Sequence, residues 1–563
     1  MGKQRIKNYV NASLSDVIPI FNCDYARADN DKVSLYKDQE SLSDPPSGLN
    51  FISNPAGFDS NNSKFKLEIS PLTLFEKSLK DVCQTTNTIS DEFTEAEQVQ
   101  CRDVYTLPST SYVEPDILYL LISVQNKHSA VEMLLYISLA VLLRAWLFAA
   151  PEFVSWLSSL PEVSTPLSSW HRVVEGISVL KQGGSIHEGD SYHGSTLLLI
   201  FMSRLQEYSP LLLYLMFATC DIVTSLALLR FAEKFIRNEL IDIYKPDNDI
   251  SSQSKSIKLN ESGMKDIPLL ISLLYLFNPF TIATCVSKCT LIFSNMFLAL
   301  FLNASLSGSV FSTTLFLALA TYESLYPIVL LFAAALCYYK YQKTSWTIYT
   351  CMLLTTLCFL MWLSLLFVIA YLHDESPESI VSHYSFILRV PDQTPNVGVF
   401  WYFFTEVFDH FQSFFLCVFQ LNVIVFSIPM SIKLRSHPVC LSFILIGIVA
   451  ALKSYPSLGD AGLWLSILPL WSHTFKYLRM AIVTSIMLIT TAIVCPVMWN
   501  LWIGARSANA NFFFASSLAY TTAQVLILTD VLLAYLKWHY HLREGVCPKL
   551  ETSNEKAMIR LLN

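Results

Sequence analysis

Two amides two residues apart, Asn509 and Asn511, are the residues whose types and spacing best fit ligand binding in this chain. They lie in a short polar loop, residues 501–514, between two long apolar runs. A side-chain amide offers two donors and an acceptor without a charge, which suits holding a sugar or head group rather than cleaving a bond. Alternatively, either asparagine only caps the following helix. Asn511, directly before an aromatic run, is the stronger candidate for both roles.

Charged residues within apolar runs are the second set of candidates, because an ionised side chain in a bilayer is costly unless it is paired. Arg144 and Asp221 fall in two different runs, and we favour an ion pair that locks two helices together over a transport role. Lys288 and Glu323 fall at run ends, where we expect solvation. A further group near one membrane surface suits either acid–base chemistry or the exposed faces of amphipathic helices: Lys453, Asp460, Glu406, Asp409 and His410.

Motifs for catalysis and metal binding are weak in this sequence. Glu188 and Asp190 form an acidic-x-acidic pair, as used by dolichol-sugar-dependent glycosyltransferases, but so short a motif arises often by chance. Cys285 and Cys289 are one helical turn apart, but no second pair completes a tetrahedral metal site, and we interpret them as small apolar residues. The sequence has neither the nucleophile elbow of a lipase nor a P-loop. We therefore predict no catalytic residue, metal site or cofactor.

Basic and aromatic residues meet at two predicted membrane edges. Lys340 and Lys343 follow tyrosines at the end of one apolar run, and Arg479 precedes another run. Such residues usually anchor a membrane protein at the interface. The alternative is a pocket for phospholipid head groups between helices. We favour anchoring and keep these three cations as candidate head-group contacts.

The elements that position these residues are membrane-spanning helices. The 563-residue chain is 53% hydrophobic and only 15% charged. A bilayer core of ~30 Å needs about 20 apolar residues per helix, and runs of about that length recur along the chain. Because the runs are continuous rather than alternating, we predict an all-α polytopic membrane protein with about twelve transmembrane helices. The predicted spans are 130–150, 210–230, 267–286, 289–306, 308–324, 326–339, 347–371, 411–431, 439–453, 461–473, 481–503 and 513–536.

Acidic residues are concentrated in the N-terminal segment. Residues 1–128 hold 12 basic and 18 acidic residues, which accounts for −6 of the net charge of −7. We predict a disordered cytosolic extension over 1–128, a membrane domain over 129–545 and a cytosolic tail over 546–563. The nearly neutral remainder gives no indication of nucleic-acid binding. The distribution of Lys and Arg among short loops places both termini in the cytosol and the Asn509 loop on the lumenal side.

Several long, irregular strings are similar to one family of membrane proteins. They are TPLSSWHRVVEG at 165–176, FNPFTI at 277–282, LALATYESLYP at 317–327, VPDQTPN at 390–396 with the following FWYFF, KSYP at 453–456, and the loop with Asn509 and Asn511. The match covers about residues 130–545 and does not depend on three-letter motifs. On these strings the chain resembles the PIG-U family, the multispanning subunits of glycosylphosphatidylinositol (GPI) transamidase.

The resemblance implies a GT-C-like arrangement of helices, similar to that of endoplasmic reticulum mannosyltransferases, but without catalysis by this chain. It implies a subunit that recognises and positions the GPI lipid for attachment to protein C-termini in the endoplasmic reticulum membrane. Its expected partners are the caspase-like catalytic subunit PIG-K, PIG-T, PIG-S, the GPI-attachment subunit and membrane phospholipids. The amides matching Asn509 and Asn511 are expected to contact the GPI head group.

The chain departs from this pattern at three places. Residues 1–128 have no counterpart in the family, Arg506 stands where family members carry glycine, and Gly194 follows His193 where they usually carry glutamate. The alternative hypothesis is an active GT-C-type glycosyltransferase that uses Glu188 and Asp190. A transporter would require inverted repeats, and no such repeat is visible in the sequence.

Overall fold

The computed structural model describes residues 115–184, 192–244, 259, 261–342, 346–374 and 378–545. Within these ranges the chain forms α-helices joined by short 3-10 and π turns, with no β-strand. The helices are α1 (Pro115–Phe148), α2 (Pro151–Ser158), α3 (Trp170–Lys181), α4 (Thr196–Tyr208), α5 (Pro210–Tyr244), α6 (Glu261–Met264), α7 (Ile267–Leu276), α8 (Pro279–Val286), α9 (Leu291–Ser305), α10 (Val310–Ser324), α11 (Leu331–Tyr341), α12 (Ile348–Asp374), α13 (Glu378–Arg389), α14 (Phe400–Glu406), α15 (Asp409–Lys433), α16 (Pro438–Leu452), α17 (Leu458–Ile467), α18 (Ala481–Trp499) and α19 (Ala510–Glu544).

Most of the predicted N-terminal extension and the whole predicted tail, 546–563, lie outside the described residues. Helix α1 begins at Pro115, so it extends into the segment assigned to the extension and starts well before the span predicted near residue 130.

Five helical segments are long and apolar enough to cross a membrane: Leu211–Ile241, Ile348–His373, Asp409–Lys433, Ala481–Gly504 and Ala510–Glu544. Two bent helix pairs raise this number to as many as seven among the described residues. Further apolar helices are shorter, at 10–17 residues. The predicted all-α membrane protein is therefore confirmed. The count of about twelve spans stays a prediction, because several predicted spans correspond to these shorter helices.

Proline residues account for the two bent pairs. Pro279 has no N–H to continue α7 and disfavours a helical conformation at the residue before it. That residue, Asn278, is extended, and its side-chain oxygen accepts a bond from the Phe280 N–H at 3.0 Å, which caps α8. Helices α7 and α8 consequently meet at 44°, and α2, which begins at Pro151, lies at 90° to α1. The single span predicted at 267–286 is thus two helices.

Helix α16 lies within the main hydrophobic core and is buried along almost its whole length. Its residues are apolar on all sides, as expected for a helix enclosed by others. At Gly447 a β-carbon would come within 2.4 Å of Leu528 Cδ2, so α16 approaches α19 closely there and any larger residue would force the Leu528 side chain to shift. The core continues to Trp464 and Trp471, which are both fully buried.

Arg144 on α1 and Asp221 on α5 form the predicted intramembrane ion pair. Arg144 Nη2 lies 2.7 Å and Nε 2.8 Å from Asp221 Oδ2, and both side chains are at most 2% exposed. The hydroxyl of Tyr275 on α7 donates to Asp221 Oδ1 at 3.2 Å. The pair therefore connects three helices and compensates two charges that would be costly in a bilayer.

Lys288 is half-buried, although we expected a solvated position at a helix end. It lies in the turn between α8 and α9, where its Nζ is 5.1 Å from the centre of the Trp170 ring and 5.4 Å from that of Tyr214. Two aromatic faces at these distances stabilise an ammonium group by cation–π attraction. Burial also lowers the pKa of Lys288.

Candidate functional site

Asn509 lies between α18 and α19, and Asn511 lies in the first turn of α19. Both helices are long enough to cross a membrane. Helix α18 ends in a π-helical turn, Asn500–Gly504, an irregularity found frequently at functional sites. The chain then reverses, and the Ser507 N–H donates to the Leu501 carbonyl at 2.9 Å. The result is an exposed polar loop at one end of two spanning helices.

The two asparagines have different roles in this loop. Asn509 is the N-cap of α19, because its Oδ1 accepts a bond from the backbone N–H of Asn511 at 3.1 Å. Asn511 lies in the first turn of α19, and its Oδ1 accepts a bond from the Tyr402 hydroxyl. The expectation that Asn511 is the stronger cap is therefore wrong. Both residues are exposed. Because the oxygens are engaged, the amide N–H groups are the donors that remain for a ligand.

Arg506 is exposed and adopts a left-handed backbone conformation, with φ of 56°. A β-carbon crowds the backbone in this region, whereas glycine occupies it without strain. The strain gives a physical reason for the glycine that the resemblance implies at this position in related proteins. In this chain the loop carries a guanidinium group instead.

An aromatic cluster lies directly beneath the loop and is called the aromatic wall. It consists of Trp401, Tyr402, Trp499, Trp502, Phe513 and Phe514. The Tyr402 and Phe514 rings stack at 4.3 Å, and the Trp401 and Trp502 rings stack at 6.3 Å. Helix α14 supplies the first two rings, so a segment more than a hundred residues away in sequence supports the loop. Phe513 is fully buried within the wall, whereas Phe512 is 56% exposed.

The three candidate head-group cations are not brought together as one pocket. Lys343 lies outside the described residues. Lys340 Nζ is 3.4 Å from Glu239 Oε1, so this ammonium already has an acidic partner. Arg479 is exposed, and its backbone N–H donates to Asp530 Oδ1 at 3.0 Å, which fixes the turn before α18. Their contact with lipid head groups stays a prediction.

The five polar residues predicted near one surface separate into two sets. Lys453 Nζ donates to Asp460 Oδ1 at 2.6 Å, and both side chains are about 10% exposed. Asp460 also forms a capping box with Ser457 at the start of α17, so its carboxylate is committed to structure. The other three residues, Glu406, Asp409 and His410, are exposed around the junction of α14 and α15.

A second candidate site, which the sequence analysis missed, is a cleft called the hydroxyl cleft. Its empty volume is about 470 Å³ including the mouth. Five separate segments of the chain line it. Each segment contributes only a few polar residues, too few to form a recognisable sequence motif. Glu323 lies in the cleft rather than at a solvated helix end, and its Oε1 accepts a bond from Ser195 Oγ at 2.6 Å. Lys453 and the hydroxyl-bearing residues Thr165, Ser168, Thr290, Ser294 and Ser457 also line the cleft.

Glu162, in the loop between α2 and α3, is a buried carboxylate that the sequence analysis also missed. It is 1% exposed, and neither carboxylate oxygen has a hydrogen-bond partner among the described residues. Its backbone carbonyl accepts the Leu458 N–H at 2.8 Å, which joins this loop to the start of α17. Burial raises the pKa of Glu162 to about 7, since desolvation disfavours the charged form.

The residues considered for catalysis or metal binding gain no support from the structure. Glu188 and Asp190 lie outside the described residues. Within the described part of the chain no group of three or more His, Cys, Asp or Glu side chains is placed to hold a metal ion. Cys285 and Cys289 are buried free thiols, as interpreted from the sequence.

Comparison with known proteins identifies the family. A family model described as the GPI transamidase subunit PIG-U matches residues 138–520. The chain is 36% identical over 446 residues to the GPI-anchor transamidase component PIGU of Cricetulus griseus, a match that covers 76% of this chain and 99% of that protein. It is 36% identical over 445 residues to the Homo sapiens protein of the same name, with equal coverage. It is 30% identical over 391 residues to the GPI transamidase component GAB1 of Saccharomyces cerevisiae, covering 69% of this chain and 91% of that protein. The resemblance inferred from the sequence is confirmed, and the chain belongs to the PIG-U family of GPI transamidase subunits.

Proposed function

We propose that this chain is a non-catalytic subunit of GPI transamidase that recognises the GPI lipid and positions it for attachment to protein C-termini. The binding site is the Asn509–Asn511 loop together with the aromatic wall. The amides bind the glycan or phosphoethanolamine of the head group, and exposed apolar residues beside them contact the lipid.

The observation that carries this proposal is the pairing of free amide donors with an apolar surface at the end of two spanning helices. Asn509 and Asn511 use their oxygens within the protein and retain exposed N–H groups. Phe512 and Ile503 beside them are 56% and 49% exposed. A glycolipid has the complementary two parts, since its polar head group binds hydrogen-bond donors and its acyl chains bind an apolar surface.

Catalysis and assembly are part of the same proposal. The catalytic step belongs to another subunit, the caspase-like PIG-K, and PIG-T, PIG-S and the GPI-attachment subunit complete the complex. The chain lies in the endoplasmic reticulum membrane with both termini in the cytosol and the Asn509–Asn511 loop in the lumen. Support for the lumenal position comes from the alternating distribution of Lys and Arg among short loops.

The experiment separates ligand binding from capping, because both asparagines also serve the structure. Cells lacking the native protein receive variants of this chain, and GPI attachment is measured from surface display of a GPI-anchored reporter. Asn509→Asp keeps the capping oxygen but loses the amide donors, whereas Asn509→Ala loses both. Asn511→Asp likewise keeps an acceptor for Tyr402, whereas Asn511→Ala does not.

We expect each Asp variant to reduce attachment nearly as much as its Ala counterpart, while co-purification of the partner subunits is unchanged. Loss of one neutral hydrogen bond, about 1 kcal/mol, corresponds to roughly fivefold weaker lipid binding. If both Asp variants retain full attachment and only the Ala variants lose it, the asparagines stabilise the loop and do not bind the lipid. The proposed site would then be rejected.

A further inference from the structure

The hydroxyl cleft is a built polar site that the proposed function leaves unused. Nine of its fifteen lining residues carry a hydroxyl group. They come from the loop before α3, the start of α4, the start of α9, the end of α10 and the loop between α16 and α17. Several of these hydroxyls already have partners within the protein, since Ser195 Oγ donates to Glu323 Oε1 at 2.6 Å, Ser457 Oγ donates to Asp460 Oδ2 at 3.3 Å, and Thr165 Oγ1 and Ser168 Oγ lie 2.8 Å apart. Their remaining lone pairs form a surface rich in acceptors, which suits a ligand that donates hydrogen bonds.

Hydrogen bonds made by the lining residues fix the walls of the cleft. The Thr290 N–H donates to the Ser168 carbonyl at 3.0 Å, which fixes two of the walls against each other. The Tyr192 hydroxyl donates to the Ser195 carbonyl at 2.8 Å, and the Tyr455 hydroxyl donates to the Asp392 carbonyl at 2.9 Å. Both tyrosine hydroxyls thus donate within the protein, and the shorter serine and threonine hydroxyls offer acceptor lone pairs at the surface of the cleft.

The backbone is strained at two points on the rim of the cleft. Leu325, directly after the lining residue Ser324, has φ of 57°. Lys288, two residues before the lining residue Thr290, has φ of 56°. Non-glycine residues adopt this region at a cost in strain, and such strain clusters at functional sites. Its presence on two walls of one cleft supports a binding role.

The charges in the cleft decide which ligand fits. The Lys453 ammonium is neutralised by Asp460 at 2.6 Å. Glu323 Oε1 accepts from Ser195, and Oε2 has no partner among the described residues. An oxygen with free acceptor capacity favours hydroxyl donors. With the Lys453 charge compensated by Asp460, the described lining residues offer no free cation to an anionic ligand. The lining therefore suits an uncharged ligand with many hydroxyl groups.

We propose that the hydroxyl cleft binds a neutral sugar ring, with Glu323 accepting hydrogen bonds from sugar hydroxyls. The ring belongs either to the glycan of a glycolipid or to a free oligosaccharide. The glycolipid source rests on the proposed function, because the head group of the recognised lipid would then supply the sugar.

The test uses the intact transamidase complex, purified with wild-type or variant chain, and saturation-transfer NMR with methyl glycosides of mannose, glucose and galactose. We expect at least one glycoside to bind the wild type, and Glu323→Gln to weaken that binding at least fivefold. Thr290→Val, which removes one hydroxyl at nearly constant volume, gives a second variant should Glu323→Gln fail to assemble, and we expect about threefold weaker binding. Glu152→Gln, at an exposed carboxylate on α2, is the matched control and should bind as the wild type does.

Absence of glycoside binding to the wild type, or equal binding by the wild type and both cleft variants, would overturn the inference. Competition distinguishes the two sources. If purified GPI glycolipid displaces the glycoside, the natural ligand of the cleft is the glycan of a glycolipid. If only free oligosaccharide displaces it, the glycolipid is excluded as the source of the sugar. Failure of the cleft is also distinguishable from failure of the proposed function, because Asn511→Ala should lower GPI attachment whether or not the cleft binds a sugar.

Discussion

Replacing Arg144 with methionine removes one partner of the buried ion pair while keeping most of the side-chain length. The Asp221 carboxylate, 1% exposed, would then retain the Tyr275 hydroxyl at 3.2 Å and the weak Cys285 thiol donor, but no compensating charge. Breaking a buried pair in this way costs about 3–5 kcal/mol, because an uncompensated charge stays in a low-dielectric environment. At about 2 °C per kcal/mol, the apparent unfolding midpoint of the solubilised protein should fall by roughly 6–10 °C.

The double variant Arg144→Met/Asp221→Leu tests whether the loss arises from the stranded charge. Replacing a whole buried pair by apolar residues is often neutral or stabilising, so we expect the double variant to recover most of the lost stability. The matched control is Arg204→Met. Arg204 Nη1 lies 3.6 Å from Glu207 Oε2 on the exposed side of α4, with side chains 75% and 45% exposed.

The assay is thermal unfolding of the detergent-solubilised complex followed by size-exclusion chromatography with a fluorescent tag. Exposed pairs contribute little, so Arg204→Met should change stability by less than about 1 kcal/mol. If Arg144→Met is as mild as this control, or if the double variant is no more stable than Arg144→Met, the pair does not stabilise the helix packing as argued. Normal GPI attachment by a stable double variant would also argue against a transport role for the pair.

Two further predictions concern single residues. The first concerns Glu162→Gln. In the folded wild type the Glu162 pKa is raised to about 7, so between an ordinary glutamate pKa and pH 7 this carboxyl keeps a proton that the unfolded chain releases. Wild-type stability should therefore be highest below that ordinary pKa and fall by about 3 kcal/mol as the pH rises to about 7, whereas E162Q shows no such loss. Parallel unfolding curves across this range would contradict the argument. For Arg506, with φ of 56°, R506G should be more stable than R506A by about 1 kcal/mol, since only glycine relieves the strain. Equal unfolding midpoints would show that the loop carries no such strain.

Apolar run length predicts the helical class and the approximate helix positions, but not the membrane crossings themselves. A count of apolar residues cannot separate a straight helix from a bent pair such as α7 and α8, where Pro279 and Asn278 set the angle. It also cannot reveal that a 15-residue helix such as α16 is buried among other helices along almost its whole length. The bend is set locally by proline, whereas the burial of α16 depends on packing between segments distant in sequence.

The candidate sites show the same limit at the level of single residues. The pairing of Arg144 with Asp221 is predictable, because an unpaired charge within a bilayer is costly and each residue offers the other an opposite charge. The role of Asn511 is not, because its oxygen bonds Tyr402, a residue on α14 that no local pattern links to α19. The hydroxyl cleft is likewise invisible in the sequence, since serine and threonine are common and only the fold brings these particular ones together.

The short helices have a consequence for the surrounding lipid. Helices α9, α10 and α16 each contain 15 residues, which at 1.5 Å per residue gives a length of about 22 Å. A typical hydrocarbon core is about 30 Å thick, which leaves a shortfall of about 8 Å. The hydroxyl cleft lies at the ends of these helices. With the shortfall on that side, the cleft floor is recessed below the lipid head groups. Because α16 is buried among other helices, neighbouring protein rather than a thinned bilayer covers the difference in length there.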